Sequence, residues 1–213
     1  MRVLVFDTET TGLPKDYNVP AFSLSNNWPH LVSVSWAMLD SHTGSVMRAC
    51  SYIIKPIDWV IPPESTKIHG ITQAQAEEYG CSLKQVLTKF LTEDYDVIIA
   101  HNAYFDKNVF ANAMIWDLKL PFSGFNKPCR CSMLAGKLMC KIPNIYKLGD
   151  FKFPKLSELY LHVMNEPPKD HQLHSSLYDT LFLCEIIQRS KELRIRLGIT
   201  DVERNNESQV YKP

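Results

Sequence analysis

The stretch Val3-Leu4-Val5-Phe6-Asp7-Thr8-Glu9-Thr10-Thr11-Gly12-Leu13 starts as a run of β-forming residues, ends in turn formers, and carries two carboxylates between them. Side chains two apart on a strand share a face. Asp7 and Glu9 are therefore expected side by side where the hydrophobic strand, residues 2–7, breaks into a turn. Neighbouring carboxylates resist joint ionisation unless a cation or a proton lies between them. A metal site is the economical reading of the pair.

Outward from this segment, residues 32–39 and 46–55 read as two further strands, separated by the turn formers Ser41-His42-Thr43-Gly44. Together they predict an antiparallel meander. Ser82 precedes Leu83, Val86, Leu87, Phe90 and Leu91, whose spacing predicts an amphipathic helix with a serine N-cap. Asp96-Val97-Ile98-Ile99-Ala100 predicts a buried strand, and His101-Asn102-Ala103 connects it to a helix over 104–116. Such connections are where α/β enzymes place functional side chains. Residues 132–139 and 155–163 predict two short helices around a lysine-bearing loop, 140–154, and residues 175–195 predict a long last helix. The polar tail, 200–213, is expected to fray. This order predicts one α/β domain over residues 1–199, a mixed β-sheet flanked by α-helices.

Composition narrows the class. With 213 residues, 45% hydrophobic and 22% charged, the chain suits one soluble globular domain. Residues 17–39 lack charged side chains, but their prolines and asparagines make a poor membrane span. Met1 to Phe6 is too short for an export signal, so an intracellular protein with no membrane association is expected. The cysteines at 50, 81, 129, 131, 140 and 184 form no Cys-x-x-Cys pair, and their spacing matches no common zinc module. Reduced thiols are expected.

Zero net charge excludes a protein that coats nucleic acid by bulk electrostatics. The charge is nevertheless uneven: residues 127–155 hold seven Lys or Arg against Asp150 alone, net +6, which leaves −6 for the remainder. One basic wall beside an acidic site is expected. Asp106 falls in the first turn of the helix over 104–116, where the helix dipole favours negative charge. Asp179 follows His174 by five residues, a separation that does not share a helical face, so His174 is placed just before the last helix.

The segments Phe6 to Leu13, His101-Asn102-Ala103-Tyr104-Phe105-Asp106 and His174 to Asp179 resemble the three exonuclease motifs of the DEDDh family of 3′-to-5′ exonucleases. That family includes DNA polymerase proofreading subunits and oligoribonucleases. Ile61 to Glu64 and Ile68 to Thr72 are similar to its connecting segment, and Leu156 to Leu159 to the helix before its final motif. The resemblance spans about residues 1–190. The chain departs from the pattern at Ser175-Ser176, where small residues including Ala are common, and in loop 140–154.

The resemblance implies a ribonuclease H-like fold and hydrolysis of phosphodiester bonds at the 3′ ends of single-stranded or frayed DNA, releasing nucleoside 5′-monophosphates. An exoribonuclease or oligoribonuclease is the alternative, and a non-catalytic nucleic-acid-binding or assembly module is a third reading. Two divalent cations, Mg²⁺ or Mn²⁺, are implied: Asp7 would bridge both, Glu9 and Asp179 would hold the one that activates water, and Asp106 would support the second. His174 is implied as the base that takes the proton from the attacking water, with His171 as the alternative; His69 and His101 are less well placed.

For the substrate, the same resemblance points to backbone groups of Thr10, Thr11 and Gly12 at the terminal nucleotide, to Leu13 and Phe105 against bases, and to Asn102 at a sugar or phosphate. Core packing is the alternative for Leu13 and Phe105, and a turn hydrogen bond is the alternative for His69. The basic window, interleaved with Tyr146, Phe151 and Phe153, would guide a strand or form a solvated face. The expected partners are single-stranded DNA or RNA 3′ ends, and a proofreading role would require a DNA polymerase or replication complex.

Overall fold

The computed structural model describes residues 1–168 and 175–199. His171 and His174 lie outside the described residues, as does the tail from residue 200. In chain order the strands are β1 (Arg2–Thr10), β2 (Leu31–Asp40), β3 (Val46–Ile53), β4 (Val97–Ala100) and β5 (Cys129–Cys131). The helices are α1 (Pro63–His69), α2 (Gln73–Tyr79), α3 (Leu83–Leu91), α4 (Ala103–Asn112), α5 (Ser132–Cys140), α6 (Leu156–Met164), α7 (Ser176–Arg189) and α8 (Lys191–Leu197), with a π-helical turn, Ala113–Asp117, extending α4.

The five strands form one sheet in the order β3-β2-β1-β4-β5. β1, β2 and β3 pair antiparallel, as the meander predicted, while β4 runs parallel to β1 and β5 parallel to β4. This is the mixed, ribonuclease H-like sheet with helices on both faces. β1 lies at its centre, so Val3, Leu4, Val5 and Phe6 are all fully buried, and the alternation of the strand sends them to two different cores.

Leu4 and Phe6 face a core with Trp36, Phe90 and Phe110, supplied by β2, α3 and α4. The Phe6 ring meets Phe90, Phe110 and Phe125 edge-on, with centroids 5.2, 5.6 and 5.6 Å away. Such pairs add about 0.5–1.5 kcal/mol each beyond burial. Val3 and Val5 face the other core, where α7 contributes Leu183, Ile186 and Ile187 and α6 contributes Leu159. By the same alternation Asp7 and Glu9 belong to the α7 side, and Thr8 to the α4 side.

Several boundaries differ from the sequence reading. β1 continues to Thr10, so the two acids stand within the strand rather than after it; a register shift between Glu9 and Thr10 marks where the ladder becomes irregular. Pairing with β2 sustains the extended backbone past the last apolar residue. Ser82 precedes α3, but its side chain makes no capping hydrogen bond; its carbonyl accepts from the Val86 N–H instead. The long last helix is broken at Ser190, whose extended backbone ends α7 and whose hydroxyl accepts from the Leu193 N–H to start α8.

The connecting segment holds two seven-residue helices. α1 starts with Pro63 and stops at Gly70 in the left-handed conformation, φ 76°. Thr72 and Gln75 form a reciprocal capping box for α2. Loop 140–154 is a small hairpin, closed by a bridge between Pro143 and Phe151. All six cysteines are free thiols. Among the described residues no helix is long and apolar enough to cross a membrane.

Candidate active site

At the C-terminal end of β1, carboxylate oxygens of Asp7, Glu9 and Asp179 all lie within 4.8 Å of one another. β1 supplies the first two on one face, and the first turn of α7 supplies the third. A knot of hydroxyls fixes that turn. Ser176 is 3% exposed, and its Oγ lies 3.0 Å from Ser33 Oγ and 2.8 Å from Ser35 Oγ. Ser33 and Ser35 are the β2 residues paired with Glu9 and Asp7. Thr180 adds a hydrogen bond to the Ser35 carbonyl at 3.3 Å. Ser176, one of the two serines at which the chain departs from the family pattern, thus joins the helix carrying Asp179 to the strand behind the other two acids.

Asp106 arrives from the opposite face, on α4, and is 2% exposed. The Thr8 hydroxyl donates to its Oδ1 at 2.7 Å. Thr8, between the two acids in sequence, therefore faces away from them and orients the fourth carboxylate. Asn102, before α4, adopts the left-handed conformation, φ 67° and ψ 47°, which turns the chain sharply from β4 into the helix.

The electrostatics follow from this crowding. Burial pushes the Glu9 carboxyl up to about 8, with Asp179 and then Asp106 adding repulsion. Burial also lifts Asp7 well above the usual carboxylate range, reinforced by the charges of Asp106, Glu9 and Asp179. Asp106 is raised to about 7 by burial, against the hydrogen bond from Thr8. Carboxyls raised above their ordinary range by burial and mutual repulsion mark a site short of positive charge. An all-oxygen donor set at this separation suits hard divalent cations, so the residues present fit the metal pair that the motifs imply.

The remaining candidates divide. Leu13 is 72% exposed and available to a ligand, whereas Phe105 is half-buried and packs against Trp28 and Tyr17. These contacts support the core-packing alternative for Phe105. Gly12, with φ 147°, adopts backbone disfavoured for other residues, and the Thr10 hydroxyl donates to its carbonyl at 2.7 Å. Thr11 exchanges two hydrogen bonds with His30, each 3.0 Å long, which tie the loop to the start of β2.

His69 is buried, and its Nδ1 accepts from the Ile71 N–H at 3.1 Å, the turn bond weighed against a substrate contact; the ring also hydrogen-bonds the Thr10 backbone. His101 is structural: Nε2 donates to the Pro154 carbonyl and Nδ1 meets Ser132 Oγ, both at 3.0 Å. Burial pushes its pKa down to about 4. Of the basic window, Lys137 and Lys147 pair with Asp150, and Lys152 pairs with Glu158. Missed by the sequence reading were Thr8, Ser33, Ser35 and Ser176. Only the Ser176 position carried a signal, its departure from the family pattern.

Comparison with known proteins agrees with this arrangement. Residues 4–187 match the exonuclease family named RNase T. No curated relative matches the chain. Among solved structures, Exonuclease X in complex with 5′-overhanging duplex DNA superposes with a TM-score of 0.61 at 22% identity, covering 93% of this chain and 94% of that one. The nuclease domain of 3′hExo, a DEDDh family member bound to rAMP, gives 0.62 at 17% identity, covering 88% and 90%. E. coli Exonuclease I with a dA16 oligonucleotide gives 0.65 at 18% identity, covering 92% of this chain but 42% of that one. With residues 4–187 matched to that family and Asp7, Glu9 and Asp179 gathered at one strand end, the chain belongs to the exonuclease family.

Proposed function

We propose that this exonuclease removes nucleoside 5′-monophosphates one at a time from the 3′ ends of single-stranded or frayed DNA. The observation that carries the reading is the convergence of Asp7, Glu9 and Asp179 within 4.8 Å, with buried Asp106 behind them. Two Mg²⁺ or Mn²⁺ ions held there would neutralise the carboxylates and stabilise the attacking and departing oxygens of an in-line displacement at phosphorus. Asp7 would serve both ions, Glu9 and Asp179 the one beside the attacking water, and Asp106 the other.

His174, outside the described residues, takes the proton from that water. Its sequence position precedes α7, whose first turn carries Asp179. His101 is unsuited to the task, because both of its ring nitrogens are engaged. Leu13 lies against the terminal base, where an apolar surface tolerates every base, while backbone groups of Thr10 to Gly12 hold the end of the strand. Asn102 and His69 orient the terminal sugar or phosphate.

A second reading, an exoribonuclease, is favoured by the likeness to 3′hExo, whose structure holds rAMP. Discrimination would rest on contacts to the 2′-hydroxyl. The deciding experiment digests matched 5′-labelled DNA and RNA strands with Mg²⁺ or Mn²⁺, single- and double-stranded. The proposal predicts a ladder shortening from the 3′ end, faster on DNA, and lost in Asp7→Ala. Faster RNA digestion would select the second reading, and no release from any strand would reject both.

A further inference from the structure

The hairpin over residues 141–153 has no part in the carboxylate site, yet it presents large apolar side chains to solvent. Ile145 is 84% exposed and Tyr146 92%, and Leu148 stands fully in water. Burying a side chain of this size gains about 1.5–3 kcal/mol, so three together on a short tip are conspicuous. The tip is nevertheless built. Lys152 N–H donates to the Ile142 carbonyl at 2.9 Å, Asn144 N–H to the Asp150 carbonyl at 3.0 Å, and the Asn144 side chain accepts from the Tyr146 N–H at 3.0 Å.

Beneath the tip lies a cleft of about 560 Å³, with Tyr146, Phe151 and Phe153 among its walls. Lys137 Nζ stands 4.9 Å from the centre of the Phe153 ring. Residues 137–158 contain five lysines and two acids, net +3. Although Asp150 and Glu158 engage Lys137, Lys147 and Lys152, Lys147 remains 74% exposed at its side chain. Lys141 and Lys155 are also exposed.

The base of the hairpin is tied to two elements that carry the acids. Pro154, directly after it, is buried and accepts from His101, and His101 joins β4 to the helix that carries Asp106. α6 follows at once and packs on α7, which carries Asp179. Aromatic faces among cations, tied to the elements that carry the acids, match the chemistry of an unpaired nucleic-acid strand: bases stack on the rings while lysines meet phosphates.

We propose that this hairpin is a second substrate site, which holds the unpaired strand upstream of the 3′ terminus, with Tyr146 and its apolar neighbours under the bases and Lys141, Lys147 and Lys155 along the backbone. The inference rests on the exonuclease reading. The substrate strand is the occupant because the patch is cationic and its base is tied through Pro154 and His101 to the connection that leads into the helix carrying Asp106. A second copy of the chain or a protein partner is a competing occupant that the test can reveal.

The test substitutes the exposed tip, Ile145→Ser, Tyr146→Ser and Leu148→Ser together, positions whose exposure leaves the core intact. One readout is the ratio of kcat/KM for a 12-nucleotide strand to that for a dinucleotide, which cancels chemistry common to both. The other is anisotropy of a fluorescent 12-nucleotide strand with Ca²⁺, which reads binding whether or not hydrolysis occurs. A fall of about tenfold or more in the ratio and in affinity is expected, given the strength of base stacking. Lys141→Ala with Lys147→Ala should flatten the salt dependence of binding. Hydrolysis with both readouts unchanged would overturn the inference and leave the exonuclease reading standing. Lost strand binding without hydrolysis in the wild type would do the reverse. A wild-type dimer that the tip variant dissolves, with strand affinity unchanged, would assign the surface to a second copy and overturn the proposal.

Discussion

Replacing Asp7 by asparagine should raise the melting temperature of the metal-free protein at pH 8 by about 4–8 °C, although it removes a group proposed to hold both ions. Asp7 shares a space with Glu9 and Asp179 in which oxygens lie within 4.8 Å, and at an effective dielectric near 20 one fully ionised pair at that range costs roughly 3 kcal/mol. Raised pKa values keep the cluster partly protonated, so relief of about 2 kcal/mol is a reasonable scale. For a chain of this size, each kcal/mol shifts the melting temperature by about 2–4 °C.

The pH dependence has a definite sign. Glu9, raised from 4.5 to about 8 by burial and then by Asp179 and Asp106, binds its proton more tightly in the folded chain than in the unfolded one. Metal-free stability is therefore highest below the unfolded value and falls as pH rises from about 4.5 toward 8. The gain from Asp7→Asn should shrink at pH 5, where the cluster is largely protonated. Calorimetry in EDTA at pH 5 and 8, repeated with Mg²⁺, reads all of this. Mg²⁺ should reverse the ranking, because it stabilises only a chain that binds it. A melting temperature unchanged or lowered by Asp7→Asn at pH 8 in EDTA would refute the stored repulsion.

Three further outcomes are expected. His174→Ala should keep its fold and much of its metal affinity but lose roughly 10²–10⁴-fold in kcat near neutral pH, and the wild-type rate should rise as the imidazole deprotonates; near-normal turnover would exclude His174 as the base. Ser176→Ala removes the hydroxyl that meets Ser33 and Ser35, of which Ser35 keeps its hydrogen bond to Ser51, and should cost about 1–3 kcal/mol; it should also weaken Mn²⁺ binding by calorimetry, and unchanged affinity would show that the hydroxyl knot packs α7 without positioning Asp179. Leu13→Ala, at an exposed position, should shift stability by less than about 0.5 kcal/mol while raising KM for single strands; a large drop in melting temperature would assign Leu13 to the fold instead.

The central strand was legible because Val3 to Phe6 is apolar at every position, as a strand buried on both faces requires, and the acids two apart announced a shared face. α3 and α4 were legible from their periodicity. α1 and α2 were not, since seven residues span barely two turns and their burial is slight: Ala76 is the one buried residue of α2. Their caps, Pro63 with Gly70 and Thr72 with Gln75, were the available signal. β5 is three residues, Cys-Arg-Cys, which declare no pattern until β4 lies beside them.

The site divides in the same way. Asp7 and Glu9 were readable as a pair from strand geometry, and Asp106 and Asp179 from the resemblance, because the fold alone brings residues so distant in sequence together. The roles of Thr8 and Ser176 depend on tertiary neighbours 98 and more than 140 positions away, and no local pattern encodes them. The basic window was visible as charge, but its pairing with Asp150 and Glu158 follows from how the hairpin closes.

The most direct measurement is anomalous diffraction from crystals of the protein grown with Mn²⁺ and a short strand blocked against hydrolysis. The account predicts two manganese peaks between Asp7, Glu9, Asp106 and Asp179, about 3.5–4 Å apart, with Asp7 touching both. Manganese bound elsewhere, or a cluster that stays protonated and binds none at saturating concentration, would contradict it.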